Sequence, residues 1–149
     1  QMTMINQLTN AGALPALEMT MRFAAQRQRL AAHNIANIET PNFIQKDVSV
    51  EGFQAMLDEA VRERRGRTGG MHGALAWEET DEIRATESGR MTIVPSSSAG
   101  NGVLTHDRNN RDLERLMQTL AESTSAFRTA ADLYRSQSMI LQMAISERV

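Results

Sequence analysis

Residues that could do acid–base, metal or nucleophilic chemistry are scattered through this sequence. The three histidines, His33, His72 and His106, lie in different segments without metal-ligand spacing, and there is no cysteine that could complete a zinc site. The acidic residues between positions 78 and 82 lack the alternating ligands and the glycine turn of a calcium loop, so a solvated acidic face explains them better. We therefore expect no catalytic residue, no metal and no cofactor.

The candidates for nucleophilic or phosphate chemistry have the composition of linkers. Serines 96 to 98 lack a surrounding Gly-x-Ser-x-Gly arrangement, and the glycines between positions 66 and 73 lack the Lys-Ser/Thr ending of a phosphate-binding loop. The arginines between positions 62 and 67 could contact phosphate, but no aromatic residues are interleaved with them, so a cluster facing water or an acidic partner is favoured. The sequence indicates neither an enzyme nor a nucleic-acid-binding protein.

Length and composition describe a chain with little material for a core of its own. Its 149 residues fit one domain and 41% of them are hydrophobic, but ten are methionine and only 4% are aromatic. The formal charge of -2 comes from interspersed basic and acidic residues, so no overall field selects nucleic acid or an anionic membrane. We expect the stability of the fold to depend on partners.

The hydrophobic pattern contains no targeting signal. No stretch approaches the roughly 18 to 20 apolar residues that span a bilayer, so direct membrane insertion is not expected. Residues 1–12 lack the charged region, apolar run and cleavage site of a secretory signal, which argues against a cleaved signal peptide. Their polar composition predicts a flexible N-terminal segment.

A first long helix is predicted between Pro15 and about Ile38. Apolar or small residues recur there in alternating steps of four and three, the pattern of a coiled-coil-like seam. Pro15 suits a first helical turn, where its missing N–H costs nothing, and Pro41 lies beyond the point at which the helix must end. The residues in the predicted seam are Leu17, Met21, Ala24, Gln28, Ala31, Ile35 and Ile38.

A second long helix is predicted from Arg111 to the C-terminus, a stretch without glycine or proline. The alternation continues for about five heptads, and at about 1.5 Å per residue the helix is on the order of 55 Å long. Asn109, Asn110 or Asp112 could cap its start. Flanking apolar residues widen the stripe, so much of it must be buried between molecules. The seam residues are Leu113, Leu116, Leu120, Ser123, Phe127, Ala130, Tyr134, Gln137, Leu141 and Ala144, and the flanking residues are Met117, Leu133, Ile140 and Met143.

The pattern between the two long helices is weaker. Residues 51–65 can form a short amphipathic helix that uses Phe53, Met56, Leu57 and Val61. Residues 66–109 show no sustained period apart from the strand-like stretch 91–94, and an irregular segment of that size is usually a functional insertion or disordered until it binds.

These elements together predict a mainly α fold in one structural domain. Two long terminal helices pair as a coiled-coil-like hairpin, with a short third helix and an irregular, partly β or disordered middle segment. The predicted segments are a flexible N-terminal segment at 1–12, the N-terminal helix with its end motif and the short helix at 13–65, the irregular insertion at 66–109, and the long C-terminal helix at 110–149.

The end of the first helix departs from ordinary helix chemistry. Residues 30–43 read Leu-Ala-Ala-His-Asn-Ile-Ala-Asn-Ile-Glu-Thr-Pro-Asn-Phe, with Asn34 and Asn37 three positions apart and a Thr-Pro pair just after them. Asparagine is unfavourable inside a helix, but at a helix end its amide satisfies backbone groups that are left unpaired. The spacing alone supports an ordinary helix stop equally well.

This string closely resembles the N-terminal signature of the flagellar axial family of rod, hook and filament-junction proteins, in which Asn-Ile-Ala-Asn-x-x-Thr-Pro is followed by Gly-Tyr. Asn42 stands where the family has Gly and tolerates a left-handed backbone nearly as well, while Phe43 keeps the aromatic anchor without its hydroxyl. The residues at motif positions are Leu30, Asn34, Ile35, Ala36, Asn37, Thr40, Pro41 and, at the aromatic position, Phe43.

A second resemblance lies before the last helix. Residues 105–117 are similar to the corresponding segment of the small flagellar basal body rod proteins, where Asp-Leu-Glu precedes the last helix, although Arg108 and Arg111 depart from the family pattern. The two resemblances cover roughly residues 14–48 and 104–147. The segment between them does not align.

The resemblance implies a structural subunit of the bacterial flagellum basal body, which forms the proximal part of the rod by helical self- and hetero-assembly after type III export. The implied partners are copies of itself, other flagellar rod proteins, MS-ring and rod-base adaptor proteins, and the flagellar export apparatus. The implied location is the periplasmic rod. The alternative is a soluble helical adaptor or an export-chaperone-like binding module, which would form a finite complex.

The helix seams also predict which side chains form the helix-packing interface. Seams of this kind bury their apolar residues against a partner helix, in the same molecule or in a neighbour. The predicted interface residues are Leu17, Met21, Ile35, Leu113, Leu116, Leu120, Phe127, Leu133, Tyr134 and Leu141.

Overall fold

The structure of the chain is a computed structural model that describes residues 12–97 and 106–147, with side chains from residue 110 onward in the second range. Most of the predicted N-terminal segment and residues 98–105 of the predicted insertion lie outside the described residues. The elements, in chain order, are α1 (Leu14–Ala36), β1 (Lys46–Asp47), α2 (Val50–Thr68), β2 (Ile83–Ala85), β3 (Met91–Ile93), β4 (Ser96–Ser97) and α3 (His106–Ser146).

The predicted fold class is confirmed. The described part of the chain is mainly helical, with two long helices, α1 and α3, that pack together and a middle region that contains short strands. A salt bridge joins the helices, with 3.8 Å between Nη1 of Arg27 on α1 and Oε2 of Glu122 on α3. The strands form two antiparallel pairs among the described residues, β1 with β4 and β2 with β3.

The limits of α1 follow from local chemistry. The helix begins at Leu14, so Pro15 occupies the first turn, as predicted. It ends at Ala36, slightly before the predicted Ile38, because the backbone bonds that follow have three-residue spacing, from the N–H of Ile38 to the carbonyl of Ile35 at 3.3 Å.

The other two helices are longer than predicted. The helix α2 extends to Thr68, past the predicted end at residue 65, and its last turns carry Arg62–Glu59 and Arg67–Glu63 pairs at helical spacing. The helix α3 begins at His106 rather than near Arg111. The residues predicted to cap it therefore lie inside the helix, which the absence of glycine and proline in this stretch permits.

The chain divides into two compact units, each of which takes discontinuous pieces because both long helices run through it. The motif unit comprises residues 22–49 and 79–127, and the terminal unit comprises residues 1–21, 50–78 and 128–149.

The motif unit buries apolar side chains from both helices and from the strands. In the β2–β3 hairpin, Ile83 pairs with Ile93, and the turn before Arg90 uses Gly89 at φ 75°, a backbone conformation that suits glycine. On α3 the buried Ser123 donates to the carbonyl of Thr119 at 2.7 Å, which satisfies its hydroxyl locally. The buried apolar residues of this unit are Phe23, Ala24, Ala31, Val48, Ile83, Met91 and Leu116.

The terminal unit is built on one face of α2. Its buried residues recur at helical spacing, at Phe53, Met56, Ala60 and Arg64, so a single stripe of the helix faces inward. The apolar residues buried in this unit, from all three of its helical segments, are Leu14, Met19, Phe53, Met56, Ala60 and Ala130.

Candidate functional site

The side chain of Asn34 connects the end of α1 to β1. Its Nδ2 donates to the carbonyl of Lys46 at 2.6 Å, and its Oδ1 accepts from the backbone N–H of Lys46 at 3.3 Å. The side-chain amide thus pairs with a backbone residue in both directions, as a neighbouring strand would. Asn34 is only 3% exposed, so its side chain makes these bonds from a buried position, while Lys46 itself lies at the surface.

Asn37 acts locally, by contrast. Its side-chain amide donates to the carbonyl of His33 at 2.9 Å, its own carbonyl accepts from the backbone N–H of Thr40 at 2.9 Å, and its Oδ1 accepts from the Thr40 hydroxyl at 3.3 Å. These bonds close the turn that follows α1 and lie at the surface. The two asparagines of the motif therefore do different work.

The turn continues through the two positions at which this sequence departs from the family signature. Asn42 has φ 61°, the left-handed conformation expected at a position where the family signature has Gly. Phe43 packs its ring edge-on against His33, with ring centroids 5.5 Å apart. His33 is thus a packing partner of the aromatic anchor in this structure.

Glu82 connects the segment after β1 to β4. The carboxylate of Glu82 accepts from the backbone N–H of Ser49 at 2.7 Å and from the hydroxyl of Ser96 at 2.8 Å. The first of these bonds satisfies a backbone group just before α2 begins. One carboxylate thereby joins the segment after β1 to β4.

Polar side chains connect residues 45–47, in the segment that follows α1, to both long helices. Arg27 lies between two carboxylates, with Nε 3.6 Å from Asp47 and Nη1 3.8 Å from Glu122, and its side chain is 14% exposed. Its Nε makes no hydrogen bond within the described residues, so the attraction to Asp47 is a charge contact. Arg115 of α3 donates to Oε1 of Gln45 at 2.8 Å, which adds a second link between α3 and this segment.

The β2–β3 hairpin is attached to α1 in a similar way. The backbone N–H of Ile93 donates to Oε1 of Gln26 at 2.8 Å. This bond satisfies a strand N–H with a helix side chain. The motif, the hairpin and both helix segments of the motif unit are therefore connected by side-chain bonds between residues distant in sequence.

Arg64 departs from the expected arginine cluster facing water or an acidic partner, whereas Arg62, Arg65 and Arg67 are exposed. Arg64 is 4% exposed, because it continues the inward stripe of α2. Its Nη1 donates to the carbonyl of Gly12 at 2.5 Å and its Nε to the carbonyl of His72 at 3.4 Å. Burial, and secondarily the charge of Arg67, lower the pKa of the Arg64 guanidinium, which still stays protonated at neutral pH.

Two features are absent among the residues that the structure describes. No three histidine, aspartate or glutamate side chains in this part of the chain are grouped closely enough to hold a metal ion. No described helix has an apolar stretch that could cross a membrane. What the arrangement can do is position a loop and present helix faces.

The predicted interface residues differ in how far the chain itself covers them. Leu116 is 3% exposed, whereas Phe127 and Leu133 are 37% and 49% exposed. Of the predicted seam of α1, Ala24 and Ala31 are buried, and so are Met19 and Phe23 beside it. The half-buried members of the predicted set are Leu17, Met21, Ile35, Leu113, Leu120, Tyr134 and Leu141.

Large exposed apolar side chains are concentrated on α3. Among the described residues this is the helix that carries them, while others lie in loops, such as Met71 and Ile44. An apolar surface that the chain does not cover marks an interaction site. The exposed apolar residues of α3 are Met117, Phe127, Leu133, Met139, Ile140 and Met143.

Sequence reasoning missed the residues that make the long-range polar links, Gln26, Arg27, Arg64 and Glu82. The one available signal was a polar or charged residue inside an apolar helical pattern, as at Arg27 and Gln28. That signal does not name a partner, because the partners lie far away in the sequence.

Comparison of the chain with protein-family models, with curated proteins and with solved structures finds no match. The resemblance to the flagellar axial family therefore rests on the residues of the two segments themselves. A function drawn from it is a proposal.

Proposed function

We propose that this chain is a structural subunit of the bacterial flagellar basal body and forms part of the proximal rod by helical assembly with copies of itself and other rod proteins. The observation that carries the proposal is the geometry of residues 30–43. The residues that match the family signature make a specific turn, in which Asn34 holds β1 from a buried position and Asn37 closes the helix end. An ordinary helix stop needs only the second of these.

The exposed face of α3 also supports an assembling protein. Leu133, Ile140 and Met143 are about half exposed, and an isolated chain leaves that surface in water. Covering half of such a side chain contributes roughly half of the ~1.5–3 kcal/mol of full burial, so several contacts per neighbour offset the entropy of association. A head-to-tail contact that does not close produces a helical array, the geometry of a rod.

The proposal includes a route and neighbours, which the resemblance alone supplies. The chain would be exported from the cytoplasm to the periplasmic rod through the flagellar type III export apparatus, and it would contact MS-ring and rod-base adaptor proteins as well as other rod proteins. It would have no catalytic role, and neither nucleic acid nor direct membrane insertion would enter its function.

The decisive test is electron microscopy of basal bodies from a strain lacking this gene, with motility scored alongside. We expect the rod to be lost while the membrane ring remains, and the intact gene to restore both rod and swimming. Complementation with Asn34→Ala should fail, whereas Asn37→Ala, which alters only surface bonds of the same motif, should restore swimming in part.

Normal rods and normal swimming in the deletion strain would contradict the proposal. The finite complex of a helical adaptor would then be the better hypothesis. Light scattering of the purified chain separates the two, because a polymer grows with concentration while an adaptor complex reaches a fixed mass.

A further inference from the structure

The methionines of this chain differ in exposure, and this difference decides which of them an oxidant in water can reach. The chain has no cysteine, so thioethers are its only sulfur groups. A peroxide oxidises the sulfur of an accessible methionine to the sulfoxide, which is polar. The buried methionines, at 8% exposure or less, are Met19, Met56 and Met91. The exposed methionines, at 55% exposure or more, are Met71, Met117, Met139 and Met143.

Two of the exposed methionines lie on the apolar face that α3 presents in the terminal unit. Met139 and Met143 are four residues apart, so their side chains are neighbours on the helix surface. At 3.6 residues per turn they share roughly a third of the helix circumference with Leu133 and Ile140, which are about half exposed. Oxidation can therefore make two of these four apolar side chains polar.

We infer that Met139 and Met143 are oxidation sites through which a peroxide controls the assembly of this chain. In this reaction hydrogen peroxide transfers an oxygen atom to the thioether sulfur, so that the O–O bond breaks and an S=O bond forms. The sulfur is oxidised, the peroxide is reduced to water, and no bond of the protein breaks. The inference rests on the proposed function, because assembly has to cover this face for the oxidation to have an effect.

Oxidation at these positions acts on the assembly rather than on the folded monomer. In the free chain both side chains are 55% exposed or more, so a sulfoxide oxygen at either position stays hydrated. A neighbour that covers the face removes water from that oxygen, and burying a polar group without a hydrogen-bond partner costs free energy. The oxidised chain therefore keeps its fold and assembles less well.

Burial of the remaining methionines makes the effect selective. A sulfoxide at Met19, Met56 or Met91 would place a polar oxygen inside the fold and destabilise it. Because the folded chain keeps these three sulfurs away from water, a moderate peroxide dose modifies the exposed methionines first. The fold thus survives a dose that changes the face of α3.

Assembly and oxidation also oppose each other in the reverse direction. A neighbour that covers the face shields the sulfurs of Met139 and Met143 from peroxide. We expect both residues to be oxidised more slowly in assembled chain than in monomer at the same peroxide concentration, as measured by peptide mass spectrometry. Equal rates in the two states would show that assembly leaves this face open and would overturn the inference.

Peroxide treatment of matched variants tests the control of assembly. The double variant Met139→Leu/Met143→Leu removes both thioethers and keeps apolar side chains of similar size, whereas Met71→Leu removes a more exposed thioether outside α3. Each protein is oxidised as a monomer, freed of peroxide and compared by light scattering with its own untreated sample. We expect oxidation to raise the concentration at which assembly begins by roughly tenfold or more in the unmodified chain and in Met71→Leu, and much less in the double variant.

The possible outcomes separate this inference from the proposed function. Assembly that survives sulfoxides at both positions, or equal inhibition of the double variant, would overturn the inference and leave the proposed function intact. Circular dichroism of the oxidised chain should show unchanged helix content, and a loss of helix would overturn the inference because oxidation would then act on the fold. An untreated chain that stays monomeric at every concentration would contradict the proposed function itself, and this inference with it.

Discussion

The helix α3 is covered differently in the motif unit and in the terminal unit. In the motif unit Leu116 of α3 is buried, and the guanidinium of the adjacent Arg115 donates to Gln45 in the loop that follows α1. In the terminal unit the same helix leaves Leu133 and Ile140 about half exposed. Exposed apolar side chains of α3 lie in both units, since Met117 of the motif unit is 57% exposed, but most of them lie in the terminal unit. The difference is that in the motif unit α3 also holds a loop through Arg115.

The two units also differ in how distant segments are joined. The motif unit uses side chains that bond to backbone groups of other elements, as Asn34 does to Lys46 and Gln26 to Ile93. The terminal unit contains a comparable device in Arg64, which bonds the carbonyls of Gly12 and His72. Directional hydrogen bonds hold two elements in one relative geometry, whereas an exposed apolar surface can pack against a partner with less specificity.

The largest effect should come from truncating equivalent leucines in the two units. Leu116→Ala removes a side chain that is 3% exposed and should lower the free energy of unfolding by about 2–4 kcal/mol, through lost burial and a residual cavity. Leu133→Ala, at 49% exposure, should change it by about 0.5 kcal/mol or less in the monomer. Urea unfolding at low protein concentration measures both. Similar losses would mean that α3 is covered alike in the two units.

Next in size should be the difference between the two asparagines of the motif. Asn34→Ala leaves the backbone N–H and carbonyl of Lys46 unpaired near a buried position, so we expect a loss of about 2–3 kcal/mol. Asn37→Ala removes surface bonds and should cost about 0.5–1 kcal/mol. The amide of Lys46 should exchange faster only in the first variant. Equal behaviour of the two would reduce the motif to an ordinary helix stop.

Arg64 should give a smaller net effect. Arg64→Met keeps most of the buried volume and removes the bonds to Gly12 and His72, which costs about 1–2 kcal/mol after part of the loss is offset by the charge no longer being buried. Burial lowers the pKa of Arg64, so the folded chain releases this proton at a lower pH than the unfolded chain does. Stability therefore rises with pH in the range where the folded chain has begun to release it. That range lies far above neutrality. Unfolding between pH 6 and 8 should therefore show the same difference from the unmodified chain throughout.

Surface charge changes on the exposed face should affect the monomer least and assembly most. Phe127→Asp and Leu133→Asp should each shift monomer stability by about 0.5–1 kcal/mol or less, because both side chains are already partly in water. If the proposed rod function holds, either one should abolish rod formation in complementation. Leu120→Asp and Leu141→Asp, at half-buried positions, should impair both folding and assembly. Intact assembly in all of these variants would contradict the coiled-coil interpretation.

The middle segment offers one more measurement. Residues 66–103 are expected to exchange their amides quickly in the monomer, as an insertion without a sustained pattern would. The structure names the amides that should resist longest within its described part, Ile93 and Val94, which are bonded to Gln26 and Glu82. Glu82→Ala should speed exchange at Ser49, whose N–H loses its carboxylate partner. Strong protection throughout the segment would refute the expectation.

Local patterns in the sequence determined the elements of this fold. A glycine- and proline-free heptad pattern predicts α3, Pro15 and Pro41 bracket α1, and the asparagine at position 42 predicts the left-handed turn that is found. These features depend on backbone preferences and side-chain periodicity within one or two turns, so they can be read without knowing what lies across from them.

Only the tertiary structure decided how the elements are joined and which faces stay open. The pairing of Asn34 with Lys46 and of Glu82 with Ser49 has no local signature, because each bond joins residues brought together by the whole chain. The burial of Arg64 depends likewise on two carbonyls outside its helix. A heptad pattern shows that a stripe of α3 must be covered, but its apolar residues look the same whether the covering helix belongs to this chain or to another. The sequence therefore determined the stripes, and the packing alone decided that the one through Leu133 and Ile140 remains bare.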